Sequence, residues 1–142
     1  MNISTKTRYG FRLMIHLGLN ETANVSIQLG EIAEKEEISL KYLEKIVQML
    51  KRGGWVSVKR GPKGGYKLAK PSRNITLLDI FETLEGSCDV IDCSDNDCSR
   101  MSNCTTIDIW KGLSGVIKEF FVNQTLEDVV LNHKSSHNMF YI

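Results

Sequence analysis

Four cysteines carry the most distinctive chemistry of this chain. Cys88, Cys93, Cys98 and Cys104 fall within 17 residues, and the rest of the sequence contains none. Disulfides belong to oxidising compartments and usually join distant segments of small secreted chains. Thiols crowded into one stretch instead suit ligation of a metal ion or an iron–sulfur cluster, with redox thiols as the alternative. The gaps hold four residues between Cys93 and Cys98 and five between Cys98 and Cys104. The two-residue gap of a zinc knuckle is missing, which makes zinc the weaker candidate. Asp89, Asp92, Asp95 and Asp97 lie among the thiols. Their carboxylates should raise the thiol pKa values of an empty loop, and a bound cation should offset the repulsion.

A second set of residues is basic. Lys59, Arg60, Lys63 and Lys67 surround the run Gly61-Pro62-Lys63-Gly64-Gly65. Glycines let a backbone approach a groove closely, and the cations suit phosphates. The formal net charge of +1 over 142 residues hides this. Residues 1–75 carry 14 Lys and Arg against 6 Asp and Glu, a formal +8. Residues 76–142 carry 4 against 11, a formal −7. The basic half therefore suits a polyanion, and the acidic half holds all the thiols.

Other classes are excluded. No run approaches the roughly 18 continuous apolar residues of a membrane span. Arg8 and Arg12 interrupt the apolar N-terminal residues, and no small-residue cleavage site follows, so a cytoplasmic protein is expected. His16, His133 and His137 are the only histidines, and none stands in a nucleophile–base–orienter pattern, so no enzyme is expected.

The elements that must position these residues follow from periodicity. Residues 6–20 have apolar positions at helical spacing. Ser26 should cap a helix over 27–34. Ser39 should cap a second over 40–52, with Leu40, Leu43, Ile46, Val47 and Leu50 inward and Gly53-Gly54 ending it. Residues 55–60 and 66–69 read as two strands around the basic glycine turn. Helix, turn, helix and basic hairpin in this order form a winged helix-turn-helix, a DNA-reading unit. Thr76 and Asp79 form a capping box for a helix over 77–84. Residues 87–105 are irregular, and a long loop of this kind tends to be functional. Residues 107–122 read as an amphipathic helix bearing Trp110, Leu113, Ile117, Phe120 and Phe121, either a dimer seam or intramolecular core. A short helix over 126–131 precedes a loose tail, 132–142. The expected architecture is mainly α with a small β-hairpin wing. Its DNA-binding domain is 1–75, and its cysteine loop and dimerisation helices occupy 76–131.

The second helix of the pair is the expected recognition helix, with Lys41, Tyr42, Glu44 and Lys45 outward. Lys41 and Lys45 suit guanine edges or phosphates. Glu44 suits a cytosine amino group, unless it pairs with Lys41 or Lys45 on a solvated face. Arg60 suits minor-groove insertion, with Lys63 on phosphate. Ser39 and Pro62 flank these readers, and Lys6 and Arg8 open the first helix near the DNA backbone.

Three runs carry a family resemblance: STKTRYGFRLMIHL, ISLKYLEKIVQMLKRGGWVSVKRGPKGGYKLAK and ITLLDIFETLEG. They resemble the winged-helix transcription regulators of the IscR, NsrR and CymR group, over nearly the whole chain to about Leu131. The resemblance implies a homodimer in which the helix near 107–122 crosses its partner. It also implies an iron–sulfur cluster on Cys93, Cys98 and Cys104, which fall where the cluster-binding members place three ligands. The family's usual gaps are five residues each, and Cys88 is extra. IscR-type members place a histidine three residues after the last cysteine, where this chain has Ile107. NsrR-type members use an acid near the partner's N-terminus, where this chain has Arg8. Cys88 and Asp108 remain as candidate fourth ligands. By the resemblance [2Fe–2S] is favoured over [4Fe–4S], and control of iron–sulfur cluster assembly genes is expected. A repressor sensing nitric oxide or redox state, or a cluster-free regulator controlled by a protein partner, are the alternatives.

Overall fold

The computed structural model describes residues 2–94 and 98–138. Asp95 and Asp97, which the sequence reading placed among the thiols, lie outside these residues, as do 139–142 of the expected tail. The order is α1 Thr5–Leu19, α2 Leu29–Glu36, α3 Leu40–Arg52, β1 Val56–Lys59, β2 Gly65–Leu68, α4 Leu77–Glu85, α5 Ile107–Val122 and α6 Leu126–Asn138. Short 3-10 turns lie at Ser72–Asn74, Asp92–Ser94 and Met101–Asn103. The strands are antiparallel, with Val56 opposite Leu68 and Lys59 opposite Gly65. No helix among the described residues is long and apolar enough to cross a membrane.

Caps set most helix starts. The Ser4 hydroxyl accepts from Thr7 N–H at 3.2 Å, and that of Ser39 accepts from Tyr42 N–H at 3.4 Å. Thr76 and Asp79 form the expected capping box at α4. Thr125, the cap expected from the sequence for the last helix, opens α6 as part of a second box: Thr125 N–H donates to the Asp128 carboxylate at 2.8 Å, and Asp128 N–H donates back to the Thr125 hydroxyl at 3.2 Å. The two starts are tied together, because Leu77 N–H donates to Gln124 C=O at 2.9 Å and Leu126 N–H donates to Ile75 C=O at 2.8 Å.

The core crosses the expected domain boundary. Leu13, Leu17, Leu43, Ile46, Ile80, Leu84, Leu126 and Val130 belong to one buried cluster. Close approach to α1 comes from two small residues. A β-carbon at Gly10 would lie 2.2 Å from Leu84 Cδ1, and one at Gly18 would lie 2.8 Å from Val130 Cγ2. Each fully buried aliphatic side chain here contributes about 1.5–3 kcal/mol.

Three expectations need correcting. Helix α2 starts at Leu29 rather than Ile27, with Gln28 at the cap position and no capping hydrogen bond. Ile27 instead bridges to Tyr66, giving and receiving backbone hydrogen bonds at 2.9 and 2.8 Å. Leu40 is exposed rather than inward, because the first residue of α3 precedes the packed turns. Residues 132–138 are helical rather than a loose tail, since α6 is anchored on α1 by Leu126 and Val130.

The Ile27–Tyr66 bridge explains one glycine of the wing. Gly65 has φ of +149°, and a β-carbon there would lie 2.5 Å from Ile27 C=O. Gly65→Ala should therefore cost roughly 1–3 kcal/mol. Gly30→Ala, with nothing within 4 Å of the added carbon, should leave stability unchanged or raise it by up to about 1 kcal/mol. Paired thermal melts check both.

Candidate DNA interface and cysteine cavity

Burying Leu43, Ile46, Val47 and Leu50 turns the opposite face of α3 outward. Lys41, Glu44, Lys45 and Gln48 are exposed on it. Among the described residues Glu44 has no cation within 4.0 Å; the only carboxylate so paired is Glu36, with Arg12 at 3.6 Å and His16 at 2.5 Å. Glu44 therefore stands free of Lys41 and Lys45. Tyr42 is half-buried, its ring edge-on to Tyr9 at 5.9 Å. The Ser39 hydroxyl is spent on the helix cap. Arg8 is exposed, with its guanidinium donating to the Thr5 hydroxyl at 3.1 Å, and Lys6 is half-buried.

The wing presents Lys59, Arg60, Pro62 and Lys63 to solvent. It is fastened from both sides. Gln28 Nε2 donates to Gly64 C=O at 2.5 Å, holding the turn to the start of α2. At the base, Ala69 N–H donates to Trp55 C=O at 2.9 Å, and Trp55 Nε1 donates to the Thr83 hydroxyl on α4 at 2.8 Å. Lys70 stands over the Trp55 ring at 4.4 Å, a cation–π contact. The cations therefore sit on a braced hairpin. The bracing residues Gln28, Ile27 and Thr83 carry no motif in the sequence, because their partners are remote in the chain.

The cysteines divide. Cys93, Cys98 and Cys104 line one cavity of about 150 Å³, with Ile91, Met101, Thr106, Ile107 and Trp110 as the other walls. The walls are largely apolar, a setting that limits solvent around a ligand-held group. Cys88 stands apart, buried with Leu78 and Phe81 against Phe11, Ile117 and Phe121. Asp108 is exposed in the first turn of α5 and is not part of the cavity wall. Among the described residues no three His, Cys, Asp or Glu side chains are gathered tightly enough to hold a metal ion. The donor set nonetheless suits a thiolate-held group, with three cysteines among the residues lining one cavity.

The thiols also differ electrostatically. The Thr106 hydroxyl, 3.6 Å from Cys104 Sγ, holds that thiol below its ordinary value, with Asp108 opposing weakly. The hydrogen bonds from Thr106 outweigh burial and Asp108, the influences that raise this thiol. Burial pushes the Cys88 thiol up, and the Glu82 carboxylate adds to it.

The stripe on α5 divides too. Ile117 and Phe121 pack inside the chain, with Phe121 stacked on Phe81 at 4.7 Å. Trp110, Leu113 and Phe120 remain exposed, as do Ile109 and Val116.

A family model described as Rrf2, iron-dependent transcriptional regulator, matches residues 3–132. The chain belongs to the Rrf2 family. It is a transcriptional regulator of the DNA-binding kind rather than an enzyme. Its Rrf2 relatives include the HTH-type transcriptional regulator IscR of Cereibacter sphaeroides, 33% identical over 93% of this chain and 88% of that protein. IscR of Escherichia coli is 33% identical over 94% of this chain and 83% of that protein. Among solved Rrf2 structures, the global cysteine regulator CymR of B. subtilis is similar with a TM-score of 0.77 and 32% identity, covering 93% of this chain and 98% of that one. T. potens IscR gives a TM-score of 0.77 and 29% identity, covering 96% and 90%. The mainly α, winged-helix architecture read from the sequence is that of these regulators.

Two outcomes follow. Lys63→Ala should weaken binding to all duplexes and reduce the salt dependence by about one counterion, whereas Glu44→Ala should relax sequence discrimination with little change in that slope. Anisotropy titrations at several salt concentrations separate them. In the metal-free chain Cys104 should become reactive at lower pH than Cys88, because only the thiolate alkylates. Thr106→Val should move the Cys104 profile to higher pH and leave Cys88 unmoved, as mass-mapped alkylation would record.

Proposed function

We propose that this Rrf2 protein is a homodimeric, sequence-specific transcription regulator whose operator affinity is modulated by an iron–sulfur cluster held by Cys93, Cys98 and Cys104. One observation carries the reading: three thiols separated in sequence open on a single cavity at the start of α5. The family description as iron-dependent and the relatives named IscR support it. A bound cluster would supply a redox-active, thiolate-ligated iron centre. We favour [2Fe–2S], with the cluster-assembly genes as targets, from the resemblance to IscR-type regulators. Asp108 is the better fourth-ligand candidate, since it adjoins Ile107 of the cavity wall while Cys88 is committed to the core.

The chain's own residues give a route from cavity to DNA. The loop 87–105 joins α4 to α5, so a group held by Cys93, Cys98 and Cys104 would restrain the end of α4. Helix α4 touches both parts of the reader, through Leu84 against Gly10 of α1 and through Thr83 to Trp55 at the wing base. It also meets α5 through Phe81 and Phe121. The exposed Trp110, Leu113 and Phe120 provide the apolar face for a second copy. Two readers on a dimer contact half-sites about one helical turn apart, so a small tilt of α4 changes operator affinity.

Anaerobically purified protein should be brown, with charge-transfer absorption that disappears in the Cys93→Ala, Cys98→Ala and Cys104→Ala variants and persists in Cys88→Ala. Operator affinity should change at least tenfold between coloured and colourless forms, about 1.4 kcal/mol. A colourless wild-type chain with unaltered operator binding would favour control by a protein partner instead.

A further inference from the structure

The two histidines at the end of α6 form a feature separate from the reader and the cysteine cavity. Helix α6 is anchored at its base, where Leu126 is fully buried and Val130 nearly so, against the α1 face that carries Gly18. Positions 126, 130, 133 and 137 share one helical face, because steps of three and four residues return to the same side. That face is apolar and covered at its base, yet its uncovered end carries two imidazoles. The rings of His133 and His137 lie 4.3 Å apart between centroids, tilted by 40°. Both residues are exposed and stand in the last turns of a 13-residue helix. The remaining histidine, His16, is occupied by Glu36 on the other side of α1. The pair also lies just beyond residues 3–132, which the family model covers.

We propose that His133 and His137 form a two-imidazole site for a borderline divalent transition-metal ion of the Ni²⁺, Cu²⁺ and Zn²⁺ class. Histidines four residues apart on one helix face are the spacing that helical zinc sites use to hold one ion. Neutral imidazole nitrogens suit borderline ions and discriminate against hard ones such as Mg²⁺. Lys134 lies between the two histidines in sequence and repels a cation, so the site holds its ion more weakly than a three-ligand site would. Water completes the coordination. The chelate spans one helical turn, so a bound ion clamps the last turn of α6 in its helical form. This site is independent of any cluster in the loop, whose thiols line a different cavity.

The test uses the untagged full-length chain with Cys93, Cys98 and Cys104 replaced by Ser, so that loop thiols do not compete. Calorimetric titration with NiCl₂ should show one ion per chain, and MgCl₂ should show none. His133→Gln and His137→Gln should each weaken Ni²⁺ binding at least tenfold. Histidine-ring NMR of the same serine-substituted chain titrated with ZnCl₂ should shift the His133 and His137 signals together and leave His16 unmoved. Hydrogen exchange of the amides at 133–137 should slow with the ion bound. Ni²⁺ affinity within twofold of the parent in either glutamine variant would overturn the assignment, as would movement of one ring signal without the other.

Discussion

At Gly10 and Gly18 the first helix presents backbone where other positions present side chains. Leu84 of α4 and Val130 of α6 occupy the space that β-carbons would take. The two contacts bring α6 and α4 against the helix that also packs on α3, with Leu13 and Ile46 in the same buried cluster. Interiors pack at near-crystalline density, so a helix seated this closely cannot move without moving its neighbours. Any tilt of α4 therefore reaches α1 at Leu84 and the wing base at Trp55. The helix that leads into the cysteine loop is seated directly on α1 because α1 has no side chain at Gly10.

The charge distribution follows the same arrangement. The basic half supplies an exposed face on α3 and a braced wing, with Glu44 as the one carboxylate on the reading face. If this face meets DNA as proposed, the lone acid is repelled by phosphate except at sites that offer an amino donor. The acidic half supplies the loop, but its thiols do not share one environment. Cys104 is eased toward thiolate by a neighbouring hydroxyl, and Cys88 is held protonated by burial. Four cysteines close in sequence thus divide into three that open on a cavity and one that fills the core.

Much of this was legible beforehand. Ser39 and the alternation of Leu43, Ile46, Val47 and Leu50 located α3, and the glycine cluster located the wing turn. Thr76 with Asp79 located α4. These signals are local, since a cap or a periodic stripe involves residues within one or two turns. The start of α2 was misplaced because Ser26 looks like a cap, whereas Ile27 is claimed by Tyr66 from the wing. The end of α6 was misplaced because residues 132–138 are polar, and their helix depends on an anchor at Val130.

The sequence by itself determined the element types, the outward residues of α3, the basic wing and the crowding of thiols, because each rests on neighbours along the chain. Only the tertiary structure decided which thiols share a cavity, which half of the α5 stripe is left uncovered, and how the wing is braced. Those outcomes depend on contacts such as Gln28 with Gly64, Trp55 with Thr83 and Phe81 with Phe121. Their partners lie 28 to 40 residues apart, and no local preference encodes such a pairing until the helices have packed.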